Sequence, residues 1–343
     1  MMADKNYVLV TGGAGFIGSH TVVELIENGM VPVIVDDFRN SSTKMLEGIQ
    51  KIVGSEVLFH NVDIGNKEGL SLIFGQYNFS GIIHFAADKA VGESVSLPLK
   101  YYKNNLGGLI NCLECALEFS VDNFIFSSSC TVYGDPDGST TVTEITPQKE
   151  PNSPYGATKQ MGERILEDVV KSGAALKVLN LRYFNPIGAH ESGNIGELPI
   201  GKPNNLLPYI TQTAAGVLEK LTVFGKDYDT PDGTCIRDYI HVVDLAKAHV
   251  SGLKWIGNQT GTTVEIVNVG TGKGTSVLEI IHTFEKVSGK QLNWEFGERR
   301  EGDVEQIFAD VTKAKHLIDW EAQKSMENAV IDAWNWEQNL RND

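Results

Sequence analysis

Apolar residues along this chain alternate between two periods. Tyr7-Val8-Leu9-Val10-Thr11 is an unbroken strand-like run, and from Phe16 to Asn28 apolar positions recur at helical spacing until Gly29 stops them. The same exchange repeats. Strands are predicted at Val31–Val35, Glu56–His60, Gly81–Phe85, Asn123–Phe126 and Leu176–Arg182, with a long helix at Pro98–Phe119 and another headed by Ser153-Pro154. Strands alternating with helices over the first half of the chain predict an α/β fold built on a doubly wound parallel sheet.

After Tyr183-Phe184-Asn185-Pro186 the pattern loosens into a stretch rich in Gly, Pro and Asn (Gly188–Pro208), which marks the expected domain boundary. Beyond it the segments are mixed. Ile236–His241 reads as a strand, Val242–Trp255 as a helix, Val264–Asn268 as a strand, and Val277–Val287 and Ser325–Leu340 as helices. The expected division is 1–185 for one domain, joined by part of 236–270, and 186–343 for a smaller mixed α/β domain.

Composition narrows the possible partners. Among 343 residues the formal net charge is −15, which disfavours nucleic acid and anionic membrane surfaces as general partners. No apolar run reaches transmembrane length, and Met1–Asn6 lacks a basic-then-apolar signal region, so a cytoplasmic location is expected. The 4 cysteines include Cys112 and Cys115 inside an apolar helical run, where buried thiols are expected, and the 8 histidines are scattered. No metal site is predicted.

The candidate chemistry lies at the ends of the strands. Gly12, Gly13, Gly15 and Gly18 form the turn between the first strand and its helix. There bare backbone lets a dinucleotide pyrophosphate approach a helix N-terminus. The second strand ends in Asp36-Asp37, acids suited to ribose hydroxyls and repelling a 2′-phosphate, so NAD is expected rather than NADP. The fourth strand runs into Ala86-Ala87-Asp88-Lys89, and the fifth ends in Ser127-Ser128-Ser129.

Ser153 is a good N-cap and Pro154 suits the first helical position, so Tyr155 and Lys159 share one face of the helix that follows. The helix dipole and the neighbouring ammonium both favour the phenolate of Tyr155. An ordinary Tyr titrates near ~10, so a base poised near 7 needs about 4 kcal/mol of preferential phenolate stabilisation. A buried ammonium together with a cationic cofactor supplies that; one exposed ammonium does not.

The glycine turn, Ser129 and Tyr155-x3-Lys159 together make the chain resemble the extended short-chain dehydrogenase/reductase family. Longer strings bring the likeness closer to its nucleotide-sugar 4-epimerases. They are Lys89-Ala90-Val91-Gly92-Glu93-Ser94, Thr131-Val132-Tyr133-Gly134, Arg182-Tyr183-Phe184-Asn185-Pro186, Asn204-Asn205-Leu206, Arg237-Asp238-Tyr239-Ile240-His241 and Arg299-Arg300-Glu301-Gly302-Asp303.

The resemblance implies a Rossmann-type NAD domain and a UDP-sugar domain. It implies tightly bound NAD that oxidises sugar C4 to a 4-keto intermediate, then returns hydride to the opposite face, interconverting UDP-galactose and UDP-glucose. It makes Tyr155 the base, Lys159 its tuning partner and holder of the nicotinamide ribose, and Ser129 the hydrogen-bond partner of the 4-oxygen. To NAD it assigns Gly12, Gly15, Phe16, Ile17, Gly18, Asp36, Asp37, Asn40, Ser41, Asp63 and Ile64. Phe85, Ala86, Ala87, Lys89, Asn104 and Phe184, with Ser129, Tyr155 and Lys159, complete that set.

To the UDP-sugar it assigns Ser129, Tyr155, Asn185, Asn205, Leu206, Val223, Phe224, Arg237, Arg300 and Asp303. The two arginines suit a diphosphate clamp on an acidic protein. A homodimer built from the helices at Pro98–Phe119 and Ser153–Val170 is also implied.

Two alternatives are set against this reading. Related dehydratases and decarboxylases carry an acid just after the fifth strand, where this chain has Cys130 and Thr131. A non-catalytic NAD sensor would not need Tyr155, Lys159 and Ser129, all of which are present. Ile307 stands where family members restricted to plain hexoses carry a bulky aromatic and members accepting N-acetylhexosamines carry a small residue. Its intermediate size makes dual specificity a hypothesis for assay.

Overall fold

The structure of the protein, a computed structural model, describes residues 5–136, 140–300 and 304–342. The first half runs β1 (Tyr7–Thr11), α1 (Phe16–Glu27), β2 (Val31–Asp36), α2 (Thr43–Val53), β3 (Leu58–Asn61), α3 (Lys67–Phe74) and β4 (Phe79–His84). It continues through α4 (Val91–Ser96), α5 (Pro98–Tyr101), a π turn (Tyr102–Leu106), α6 (Gly107–Glu118), β5 (Asn123–Ser129), a 3-10 turn (Cys130–Tyr133), β6 (Thr141–Val142), α7 (Pro154–Lys171) and β7 (Lys177–Tyr183).

The second half comprises β8 (Asn185–Ile187), α8 (Leu206–Ala214), β9 (Leu221–Phe224), β10 (Ile236–Arg237), β11 (Tyr239–His241), α9 (Val242–Gly257) and β12 (Thr263–Val269). It ends with β13 (Thr275–Ser276), α10 (Val277–Ser288), β14 (Trp294–Gly297), β15 (Gln306–Ala309), α11 (Thr312–Leu317) and α12 (Met326–Asn342).

Seven strands form the central sheet in the order β12-β7-β5-β4-β1-β2-β3, and every pair is parallel. Strands buried on both faces read as continuous apolar runs, which is why β1 and β2 show no alternation in sequence. Their side chains nevertheless part to two sides. Val8 and Val10 join the core beneath α1 and α9, while Leu9 joins the core beneath α3 and α6. The connections reverse direction between β1 and β4, so a crevice opens outside their carboxyl ends, where ligands of such sheets bind.

A second sheet of four short strands (β13-β10-β15-β6) and the pairs β8–β11 and β9–β14 lie among the later elements. The predicted strand Ile236–His241 is split in two at Asp238. That carboxylate is fully buried and accepts from Thr271 N (2.8 Å), Thr271 Oγ1 (2.7 Å), Gly272 N (3.0 Å) and Ala309 N (3.2 Å). A buried charge must collect such donors, and doing so pins the chain at that residue.

The predicted helix Pro98–Phe119 is also interrupted, by the π turn at Tyr102–Leu106. There Asn105 turns inward, accepting from Asp88 N (2.8 Å) and donating to Asp88 O and Thr158 Oγ1 (3.0 Å each). A single wide turn within a helix often marks a functional site, and this one ties α6 to the loop after β4 and to α7. Among the described residues no helix is long and apolar enough to cross a membrane.

Candidate active site

The turn after β1 is built for close approach. Gly12 has φ +70°, and a Cβ there would stand 2.8 Å from Ala86 N in the loop after β4. A Cβ on Gly18 would stand 2.2 Å from Gly12 O. Bare backbone is therefore required at both positions. Helix α1 begins at Phe16, and its N-cap, Gly15, has no side chain to occupy the first amides. An uncapped helix N-terminus above a glycine turn at the switch point is a place for a diphosphate, so these residues fit a dinucleotide cofactor.

Asp36 at the end of β2 faces this turn. Its carboxylate accepts from Ala14 N (3.0 Å), Phe38 N (3.0 Å) and Ser41 Oγ (2.6 Å), which folds the loop after β2 back onto the glycines. Phe16 and Ile17 open α1, Phe85, Ala86 and Ala87 follow β4, and Asn40 is exposed. Ile64 is buried; a Cβ on Gly108 of α6 would strike its side chain. Asp37, Asp63 and Asn104 also converge, on a residue absent from the candidates: the Arg39 guanidinium bonds all three.

The three serines closing β5 divide their work along one face of α7. Ser153 caps that helix, accepting from Gly156 N at 3.2 Å. Lys159 is buried, and its Nζ donates to Ser127 O (2.6 Å) and Ser127 Oγ (3.1 Å). Ser129 acts on the Tyr155 phenol, drawing its titration down, and Thr131 Oγ1 donates to Ser129 Oγ at 3.0 Å. One turn beyond Lys159, Glu163 takes the Ser128 hydroxyl and a forked pair of bonds from Arg182 (2.8 and 2.6 Å). Arg182 in turn stacks over Tyr133, 4.9 Å from the ring centre. Glu163 was not singled out in the sequence and Arg182 stood there only within a family-like string, although Tyr155, Lys159 and Glu163 follow one helical period.

The electrostatics refine the expectation for Tyr155. Burial pushes its phenol up to about 12, against the Ser129 hydrogen bond, which lowers it. Burial pushes the Lys159 ammonium down to about 7, against Glu163, which raises it. The amine reaches Ser127 rather than the phenol, and stands 5.8 Å from the Tyr155 ring centre. Desolvation thus outweighs Ser129 at the phenol of the protein without its cofactor.

The residues expected at the sugar nucleotide are spread along the later loops. Asn185 N donates to Asp238 O (3.0 Å), and Leu206 opens α8. Phe184 is buried with Val132, Tyr133 and Ile307. Arg300 lies 5.7 Å above the ring of Phe224, which is exposed. Arg237 Nη1 donates to Ile236 O at 2.9 Å. Side chains alternate along β9, so that of Val223 points into the core with Leu207 and Ile210 and leaves its backbone as the part within reach of a ligand. Asp303 lies outside the described residues.

Asn205 Nδ2 and Lys89 Nζ both donate to one oxygen of Glu197, at 2.6 and 3.1 Å. Glu197 thus links a residue expected at the cofactor to one expected at the sugar nucleotide. Nothing in its sequence context signalled that role, because the three residues come from separate loops.

The parallel sheet, the glycine turn and the Ser–Tyr–Lys set define an NAD-dependent enzyme of the extended short-chain dehydrogenase/reductase class. Residues 9–333 match the family model GDP-mannose 4,6 dehydratase. The chain is 49% identical over 330 residues to UDP-glucose 4-epimerase of Bacillus subtilis, covering 96% of each chain. It is 48% identical over 334 residues to UDP-glucose 4-epimerase uge1 of Schizosaccharomyces pombe, covering 96% of this chain and 94% of that one.

The crystal structure of UDP-glucose 4-epimerase from Bifidobacterium longum, solved with NAD+ and UDP, superposes with a TM-score of 0.94 at 43% identity, covering 98% of this chain and 99% of that one. The protein belongs to the UDP-glucose 4-epimerase family. The dehydratase name of the broader family model does not carry its chemistry here. After β5 stand Cys130, whose thiol burial raises to about 12, and Thr131, bonded to Ser129; neither is an acid.

Proposed function

We propose that this protein interconverts UDP-galactose and UDP-glucose at C4 of the hexose, with Tyr155 as the base that takes and returns the 4-hydroxyl proton. The observation that carries this is the placement of Tyr155 one helical turn from the buried Lys159, whose amine is fixed on Ser127 of the same serine-ended strand that carries Ser129. Bound NAD supplies the hydride acceptor and donor for C4. Ser129 holds the 4-oxygen beside the phenol, and Lys159, fixed by Ser127, supplies a cation in a dry site where its charge acts strongly. The 4-keto sugar would turn so that hydride returns to its opposite face, while its 4-oxygen stays within reach of Tyr155, so one base serves both directions. Arg237 and Arg300 are the cations proposed for the diphosphate, and Phe224 lies beneath Arg300. Residues 1–185 with the returning strand β12 form the proposed cofactor domain, and the remainder the sugar-nucleotide domain.

A pH profile tests the roles of the pair. With Lys159 at about 7 and Tyr155 at about 12, the two groups share one proton between those values. The fraction carrying it as ammonium and phenolate is then independent of pH. Below about 7 the pair takes up a second proton and the phenolate is lost. The expected kcat/KM therefore rises up to about pH 7 and stays level to about pH 9. A falling limb across that plateau, or an unchanged profile in Lys159→Met, contradicts the pairing.

Ile307 is buried on β15 beside Phe184 and Val132, an aliphatic wall instead of an aromatic one. On that basis UDP-N-acetylgalactosamine is expected to turn over, more slowly than UDP-galactose. No turnover at any concentration removes the dual specificity.

The helices around the cofactor loop leave apolar side chains in water. Val95 is 60% exposed on α4, Leu99 80% on α5, Ile110 43% on α6 and Met161 45% on α7. We read this face as the interface of a homodimer. Gel filtration is expected to give twice the monomer mass, and a Leu99→Lys protein is expected to shift toward the monomer. A wild-type monomer at micromolar concentration sinks that assignment.

A further inference from the structure

Arg39 lies in the loop after β2, next to residues expected to touch NAD. Its guanidinium reaches three segments at once. Nε bonds Asp37 in its own loop, Nη2 bonds Asp63 in the loop after β3, and Nη1 donates to Asn104 Oδ1 in the π turn at 2.8 Å. Both carboxylates are otherwise engaged. The free oxygen of Asp37 accepts from Arg39 N at 3.0 Å, and that of Asp63 accepts from Gly65 N at 2.7 Å. These acids and Asn104 are thus bound to one side chain of this chain, through three separate nitrogens of a planar fork whose donors spread more widely than those of a compact ammonium.

The three segments border the end of the crevice beyond β2 and β3, away from Tyr155 and Lys159. In sheets of this type that end of the crevice receives the adenosine half of the dinucleotide. The loop after β2 is also held in shape from within. Phe38 sits at φ 58°, a left-handed conformation costly for a bulky residue, with its amide bonded to Asp36. Residue 39 is thereby aimed across the crevice.

We propose that Arg39 is a strap: its guanidinium ties the loops after β2 and β3 to the π turn, closing the adenosine end of the cleft and slowing loss of NAD. The inference rests on the reading of the glycine turn as the cofactor site. Arg39 is a positioning residue and touches no reacting atom. Its bonds join protein to protein, so they break when the segments part to release the cofactor and re-form behind it. An enzyme that regenerates its NAD in every cycle gains from slow release, and Arg39 supplies that through parts of the cleft distant from the chemistry.

The test follows NAD leaving the purified holoprotein, with an NAD-consuming enzyme as trap, for wild type, Arg39→Ala and Arg39→Lys. Arg39→Ala is expected to lose NAD about 10-fold faster, the scale of one charge-assisted hydrogen bond. Arg39→Lys is expected to fall between the two, because one ammonium replaces a three-way fork; it carries the test alone if Arg39→Ala does not fold. Loss of NAD at the wild-type rate, or more slowly, in either variant overturns the strap. Slower loss would mean that Arg39 competes with the adenosine instead of enclosing it. A wild-type protein that neither carries nor binds NAD would instead bring down the cofactor site itself, and the strap with it.

Discussion

Tyr155→Phe is expected to lower kcat for C4 epimerisation by about 10³-fold, within the range that a positioned general base contributes. The substitution removes one oxygen and little else. The helix keeps its Ser153 cap, Thr158 Oγ1 still donates to Tyr155 O (2.7 Å), and Lys159 still reaches Ser127. The glycine turn is untouched, so the variant should retain NAD, measured by absorbance after denaturation. Loss of turnover with full NAD content separates the base from the fold. A variant within tenfold of the wild-type rate contradicts the assignment, as does one whose lost activity tracks lost cofactor.

The second large effect is on stability. Glu163 and Arg182 are a forked ion pair with side chains 6% and 2% exposed. Glu163→Leu leaves the guanidinium buried without a counter-charge, and breaking one side of such a pair costs about 3–5 kcal/mol. Thermal denaturation should show a clear fall in Tm. The double variant Glu163→Leu, Arg182→Leu should recover part of that loss, because no charge is then left unpaired. A single variant as stable as wild type would mean that the guanidinium finds water or another partner. Ser128 and Gln148 also bond Glu163, at the end of β5 and in the loop before α7. The pair thus holds the strand carrying Ser129 against the helix carrying Tyr155, and its loss should reach the site as well as the core.

The central sheet, the glycine turn and the shared helix face of Tyr155 and Lys159 were legible in the sequence because their requirements are local. A close backbone approach demands glycine at fixed positions, and Gly12 and Gly18 have no room for a Cβ. The Ser153 cap and the helical period from Tyr155 to Lys159 likewise follow from neighbours in the chain. What escaped depends on distant segments meeting. Arg39 lies between assigned residues but acts on Asp63 and Asn104, and Glu197 acts on Lys89 and Asn205.

The wide turn in the helix after Pro98 and the break at Asp238 belong to the same group, since each is caused by buried polar groups collecting partners from other loops. Val223 and Phe224 are different, because the two-residue period along β9 alone sends the first side chain into the core and the second into solvent. The phenol's titration depends on both kinds of information: the helix dipole and ammonium are visible in sequence, whereas the burial that raises it is not.

The most direct measurement mixes the purified protein with UDP-galactose, adds no NAD, and follows UDP-glucose. Conversion to a mixture of the two sugars, with NAD recovered unchanged from the denatured protein, is the expected result. No UDP-glucose, from protein confirmed to carry NAD, would contradict the account.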